Sequence, residues 1–445
     1  MTDSKDASRL SAPCKVKKVD ITSNEPANGT TNLVGGLVYI SYHESLLSDT
    51  VSSVLTFTDT GSSDVSVIEK LPIVTEEQVD IEVEDNRNQK LKLQLFVNEV
   101  TPQSDDTRKT QIKLKLVSEE FIRNEKTRIT ERFDGKISDS VKRILSQGND
   151  IGLKSTKDFD NENTKNTFNF VGNNKKPFYV INWLARKCVS EKNQTLGKSA
   201  GYFFYETSEG FHFKSIDGLF SQKKKRSIIY NDSPRLPEGF DDKAMTYVKD
   251  NRINAQEKLK IGAYSTRTVL FDPFTCYYEV VTPNAEKNED ELKLAGQKLP
   301  KLNDRFSTSG KNKEFSRTSY FLLDKGVLPD GNTDQQLTKS KDQNFDYEKI
   351  QNQSIMRYNQ FFSATCDIVI PGDFSLHAGD AIFLSVPKLD KKKPDSSSQQ
   401  DSGLYIISEL THYIHITEGT YTKLTLARDS FGKKGKSSND SLAEQ

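Results

Sequence analysis

Cysteine, histidine, tryptophan and long apolar runs are all scarce in this chain. Four cysteines, five histidines and one tryptophan occur in 445 residues. The cysteines (Cys14, Cys188, Cys276, Cys366) are far apart and form no CxxC pair, whereas a disulfide framework or structural zinc site needs closer or denser spacing. They read as isolated reduced thiols, which predicts folding in a reducing cytoplasm. The opening residues, MTDSKDASRLSAPC, lack the apolar core of a signal peptide. No apolar run approaches the ~20 residues of a membrane span, so a soluble, unsecreted chain without membrane insertion is expected. An excess of one charge is missing too. Lys+Arg and Asp+Glu both number 63, a net charge of zero, which gives no electrostatic reason for sequence-independent nucleic-acid binding.

The motifs of common enzymes are also lacking. There is no P-loop, dinucleotide fingerprint or GxSxG. LTFTDTGSSDV, Leu55 to Val65, ends a strand in Asp59-Thr60-Gly61, as pepsin-like peptidases do, but that chemistry needs a second carboxylate sharing one proton. Asp401 in QQDSG follows a polar loop with no apolar strand to bury it. An aspartic peptidase using Asp59 is one alternative reading. His412 and His415 form an HxxH, yet on the predicted strand LTHYIHI residues three apart face opposite ways, so no metal site is expected. His377 falls in a turn and is expected to hydrogen-bond there. The basic run SQKKKRS, Ser221 to Ser227, reads as a solvated turn or as a contact for nucleic acid or an acidic partner. A β-sandwich module binding glycans or proteins through exposed Tyr202 and Tyr205 is a further alternative. No catalytic, cofactor or metal residue is assigned.

What is present is β pattern. Hydrophobic content is 34% and mean hydropathy −0.67, so the apolar residues must be gathered in short strands. The length predicts two or more domains. VDIEVED, KLKLQLFV and QIKLKLV alternate Val79, Ile81, Val83, then Leu91, Leu93, Leu95, then Ile112, Leu114, Leu116 against polar residues, as half-buried antiparallel strands do. Val100 to Thr110 reads as the polar connection of the last two. Ile137, Val141, Ile144 and Leu145 fall at helical spacing with Ser138 as a cap. Phe178, Ile181, Ala185 and Cys188 share a second helical face behind Pro177. GYFFYETSEGFHFKSIDG is a hairpin turning at Ser208-Glu209-Gly210. GDFSLHAGDAIFLSVP, Gly372 to Pro387, reads as a second hairpin. There Gly379 is assigned the φ > 0 position of the turn and Asp380 the bonding of its backbone. No repeat of 20 to 50 residues is visible, which argues against solenoids and propellers. The fold class expected is mainly β with an α/β insertion (α+β).

The order of these elements resembles the baseplate hub proteins of contractile-tailed phages: the T4-like hub subunit, the late-control tail protein of P2-like phages, and the hub part of type VI secretion spike proteins. The residues that carry the resemblance are KTRITERFDGKISDSVKRIL, PFYVINWLARKC with the aromatic hairpin after it, TVLFDPF, and GDFSLHAGDAIFLSVP followed by GLYIISELTHYI and YTKLTLARDSFG. The resemblance implies two tube-type antiparallel β-barrel domains with peripheral α/β segments. It further implies a homotrimer whose six barrels ring a channel for genomic DNA, joining a six-fold tail tube protein to a three-fold, lysozyme-type spike. The resemblance also offers baseplate wedge proteins as candidate partners. The chain runs into a polar tail after ARDSFGKKG, so the spike is expected as a separate chain. The expected divisions are a flexible 1–14, a first tube domain 15–118, an α/β segment 119–235 belonging to the second tube domain, strands 236–283 returning to the first, a polar insertion 284–358, a second tube domain 359–430, and a disordered 431–445. The expected setting is the virion baseplate, assembled in the host cytoplasm.

Overall fold

The computed structural model describes residues 10–432 apart from 62–66, 68–72, 107, 147–150, 192–199, 233–235, 250–259, 262–265, 274–275, 282–293, 298–316, 323–331, 336–349, 351, 389–396 and 399. Most of the expected tails and of the 284–358 insertion lie outside the described residues.

The first β block contains β1 (Lys15–Thr22), β2 (Thr30–Asn32), β3 (Leu37–Ser45), β4 (Ser52–Asp59), β5 (Gln78–Glu84), β6 (Lys90–Asp106) and β7 (Lys109–Val117). Its order is β3-β4-β7-β6-β5-β1-β2, antiparallel throughout. Alternation fixes the inside. Ile40, Tyr42, Leu55 and Phe57 share a core with the alternating residues of β5, β6 and β7, each fully buried apolar side chain contributing about 1.5–3 kcal/mol. The connection expected over Val100 to Thr110 is shorter than its polarity suggests. β6 stays paired with β7 to Asp106, because polar residues hold a ladder wherever one side of the strand faces water.

An α/β middle follows: α1 (Glu119–Lys126), β8 (Arg132–Phe133), α2 (Ile137–Leu145), β9 (Phe159–Asn161), β10 (Phe170–Val171), α3 (Pro177–Ala185), β11 (Tyr202–Thr207), β12 (Gly210–Ser215) and α4 (Ile216–Ser221). It has its own core, including Phe133, Ile137, Val141, Phe178, Ile181, Tyr202 and Phe213. Ser138 is not the cap of α2. Lys136 is at the cap position, and the Ser138 amide donates to the Thr164 hydroxyl at 3.0 Å, so a neighbouring loop meets that helix end. Tyr202 and Tyr205, which the recognition-module alternative needs exposed, are buried, because both faces of the β11–β12 hairpin are covered.

The chain continues through β13 (Arg226–Ile229), β14 (Asp242–Lys243), β15 (Thr246–Lys249), β16 (Thr266–Asp272), β17 (Tyr277–Val281), β18 (Arg317–Leu322), α5 (Asn352–Phe361), β19 (Ala364–Pro371), β20 (Ala381–Ser385), β21 (Gly403–His415) and β22 (Gly419–Arg428). The strands of 236–283 do not return to the first block. β14 and β15 pair with β13 and β19, while β16 and β17 form a separate sheet with β18. Gly372 to Pro387 is not a hairpin either. Residues 372–380 form a buried loop, and β19 and β20 lie apart in the sheet, on opposite sides of the β21–β22 pair. Phe374 instead enters the first block's core. β13 runs parallel to β14 and β20, so the second block is not purely antiparallel.

Five strands of each β block match in order. β15-β19-β22-β21-β20 repeats β3-β4-β7-β6-β5. Leu116 and Leu114 face Val97 and Val100 across a bulge between Val97 and Glu99. Leu426 and Leu424 face Ile407 and Leu410 across a bulge between Ile407 and Glu409. The outer pairs agree as well: Ile40 faces Leu55 as Tyr247 faces Ile368. The blocks join directly, because β3 pairs with Glu409–His415, the half of β21 that β20 leaves open.

Candidate functional site

The residues singled out in the sequence converge where the blocks meet. Gly379 adopts φ 89°, a left-handed conformation that glycine takes without penalty. A Cβ there would collide with the Tyr205 hydroxyl. The Asp380 carboxylate accepts the His377 amide at 2.8 Å, and the Asp380 amide returns a bond to the His377 carbonyl at 3.2 Å. Lys225, from the basic run, lies 2.8 Å from Asp380, and Arg226 lies 2.9 Å from Asp373. That run is thus partly spent on acids of this same loop. Burial pushes the Asp380 carboxyl up from its ordinary range despite Lys225.

Glu44 on β3 is the hub of the cluster. Its carboxylate accepts from the Tyr42 hydroxyl at 2.9 Å, the Ser208 amide at 2.9 Å and the Ala378 amide at 2.8 Å. His377 stands between it and Glu209, at 3.3 and 3.4 Å. One side chain therefore ties the first block to the β11–β12 turn and to the 372–380 loop. Burial alone would lower the His377 pKa, but Glu44 and Glu209 outweigh it and hold the ring near 10. Burial likewise opposes Glu44, whose carboxyl the His377 charge keeps below its usual value. The folded pKa of His377 lies above the ordinary 6.5. Its stabilisation is therefore complete below pH 6.5 and lost as pH rises through about 10. Thermal melts between pH 7 and 10 should show the unfolding midpoint falling more steeply in the parent than in His377→Gln. Equal slopes would refute the assignment.

Four further buried charge groups bridge the parts. Arg357 on α5 lies 2.9 Å from Asp217 on α4 and 2.9 Å from Asp429 after β22, and Asp429 also accepts the Ala295 amide at 3.0 Å. Arg87, in the β5–β6 turn, pairs with Asp242 and sits 3.8 Å from Asp373. Burial pushes the Asp242 carboxyl up to about 6 even so. Lys157 joins Glu120 at 2.6 Å to Glu206 at 2.5 Å, and burial raises Glu206 to about 7. Arg428 stacks 4.6 Å from the Tyr405 ring centroid and donates to the Ser402 and Gln400 carbonyls. Chemically, these groups fasten separate elements by desolvated charge.

The other residues weighed in the sequence lie elsewhere. Asp59 accepts the Gly61 and Val67 amides at 3.0 and 2.6 Å, whereas Asp401 pairs with Lys249. His412 is buried, bonds Thr422 at 2.9 Å and is pushed down to about 4 by burial. His415 meets the Glu418 amide at 3.2 Å in the following turn. Among the described residues no group of His, Cys, Asp and Glu is placed to hold a metal ion, and no helix is long and apolar enough to cross a membrane. All four cysteines are free. Glu44, Arg87, Lys157 and Arg357 were not found by sequence reasoning. Their ion-pair partners are at least 37 positions away, and no local pattern signals such pairs.

No protein-family model matches the sequence, and no curated protein matches it. Solved structures do. The 43 kDa tail protein of prophage MuSo2 from Shewanella oneidensis matches with TM-score 0.50 at 9% identity, covering 93% of this chain and 98% of that one. The tail protein from Neisseria meningitidis MC58 matches with TM-score 0.49 at 7% identity, covering 93% and 96%. An E. coli component of the type VI secretion system matches with TM-score 0.43 at 9% identity, covering 95% and 79%. The chain has the fold of the Shewanella prophage tail protein.

Proposed function

We propose that the chain is the hub of a contractile-tail baseplate, three copies of which ring a channel and adapt a six-fold tail tube to a three-fold spike. The observation that carries this reading is the matched pair of β blocks joined edge to edge by β3 and β21. Two equivalent units per chain turn three-fold symmetry into a near six-fold ring of blocks. The sheet face opposite both cores is continuous across the joint. It carries His43, Thr411, Tyr413, Lys423, Thr425 and Lys115, a mixed polar wall suited to a passing polyanion that must not be held. The buried charge clusters keep the two blocks in a fixed relation, as a rigid ring requires. The tail tube protein and a separate lysozyme-type spike are the partners on either side, with wedge proteins outside, and the setting is the virion. The test is mass photometry of the purified protein, alone and with its spike protein. The expected species has three times the 50.3 kDa chain mass; a monomer in both cases rejects the reading.

A further inference from the structure

A cavity of about 630 Å³ lies where the β3–β4 turn, α3, β11, β18 and α5 meet, within the size range of ligand sites. Periodicity explains its walls. Arg317, Ser319 and Phe321 line it from alternate positions of β18, and Ser354, Ile355, Tyr358 and Asn359 line it from one face of α5, as strand and helix periods require. Leu46, Phe203, Phe321, Ile355 and Phe362 give it an apolar floor. Its polar groups lack the partners their chemistry calls for. Ser354 is 2% exposed and its hydroxyl has no hydrogen-bond partner, which is costly for a buried polar group. Asp49 accepts the Asn182 side-chain amide at 2.5 Å but meets no cation among the described residues, and burial pushes its carboxyl up from the ordinary range. Arg186 makes no hydrogen bond or ion pair among the described residues. Arg317 donates to the Ile261 carbonyl at 3.1 Å and pairs with no carboxylate among them. Two guanidiniums against one carboxylate leave the lining with one positive charge in excess.

We infer that this cavity takes the C-terminal end of a second polypeptide, one whose last residue is bulky and apolar. The lining asks for three things together: an anion for Arg186 and Arg317, an apolar body for the floor, and a donor for Asp49. A C-terminal residue carries all three, as its carboxylate, its side chain and its amide N–H. A guanidinium fork matches a carboxylate in two-point geometry, and a single excess positive charge balances one carboxylate rather than a doubly charged phosphate. The Ser354 hydroxyl, on the same lining, gains the partner it lacks. Size of the occupant follows from the rim. Leu47, also on the lining, is 63% exposed. A small acid inside the cavity would leave that side chain bare, whereas a chain leading in from the surface covers it. The inference is independent of the hub reading, since every lining residue belongs to one chain.

The test is fluorescence anisotropy of the full chain with N-terminally labelled tetrapeptides, Gly-Gly-Gly-Phe and Gly-Gly-Gly-Leu. At least one should bind with a Kd below ~1 mM, as a few buried groups allow. The same peptide with an amidated C-terminus should bind at least ~10-fold more weakly, having lost its charge-assisted bonds. Arg186→Gln changes an exposed residue with no partner to lose, so it should fold like the parent and weaken the free-acid peptide by a similar ~10-fold factor. Ser354→Ala should weaken binding too, while its urea midpoint stays level or rises, because an unpaired buried hydroxyl has been removed. A residue that merely supports the fold would lower that midpoint. The free acids 3-phenylpropanoate and 4-methylpentanoate should displace the labelled peptide at least ~10-fold less well than the unlabelled tetrapeptide, since they leave Leu47 and Asp49 unmet. No binding of either peptide at ~5 mM, equal binding of acid and amide, or full affinity in Arg186→Gln overturns the inference. Displacement by a small acid as effective as by the tetrapeptide overturns the polypeptide as occupant.

Discussion

Arg357→Met should lower stability by about 3–5 kcal/mol, the cost of removing one partner from a buried ion cluster. Arg357 is fully buried between two carboxylates that are themselves buried. Methionine fills much of the volume but leaves Asp217 and Asp429 facing each other without a cation. Urea unfolding followed by near-UV circular dichroism reads the loss as a lower midpoint. Adding Asp217→Asn and Asp429→Asn removes the stranded charge while keeping acceptors for the Ala295 amide and the helix contacts. This triple variant should recover part of the loss. If the single variant unfolds with the parent, or the triple variant is the weaker of the two, the cluster is not held by charge. The expected consequence for assembly is indirect. Asp429 follows β22 and Asp217 lies on α4, so the break loosens the second block from the α/β middle.

Gly379→Val should be comparably damaging, for a different reason. A β-branched residue at φ 89° costs about 1–3 kcal/mol in backbone strain. Its Cβ also runs into the Tyr205 hydroxyl, and overpacking of a filled core costs about 1–3 kcal/mol more. Relief requires the 377–380 turn to move, and that turn carries the Asp380–His377 bonds and the Gly379 amide bond to the Ile407 carbonyl at 2.8 Å. The urea midpoint should fall and ring formation should fail through misfolding. Gly379→Ala should show the same fall in smaller measure. A Gly379→Val chain that folds and assembles like the parent would mean the turn has been misassigned.

The strands of the first block were legible because Val79, Ile81, Val83 and their neighbours obey a period of two with one wet face. Tyr202 and Tyr205 broke that rule. Their hairpin is covered on both sides, which strand alternation cannot announce. The 372–380 loop misled for the opposite reason: Phe374 and Leu376 alternate like strand residues but are apolar because they plug two cores. The match between the blocks was invisible, since register and bulges are conserved in backbone geometry while side chains differ. Lys113-Leu114-Lys115-Leu116-Val117 against Lys423-Leu424-Thr425-Leu426-Ala427 is the clearest echo between the paired strands. Arg357 went unnoticed because it falls within the stretch read as a polar insertion over 284–358, and only the folded chain sets Asp217 and Asp429 beside it. Gly379 and Asp380 were found because turn chemistry is local.

Electron cryomicroscopy of the purified protein bound to its spike tests the central claim most directly. The account predicts three chains about one axis, their six β blocks at near-equal angles around an open channel, with the face bearing Thr411 and His43 turned inward. A particle with one chain per spike, or a trimer whose two blocks lie at different radii with no shared channel wall, would contradict it.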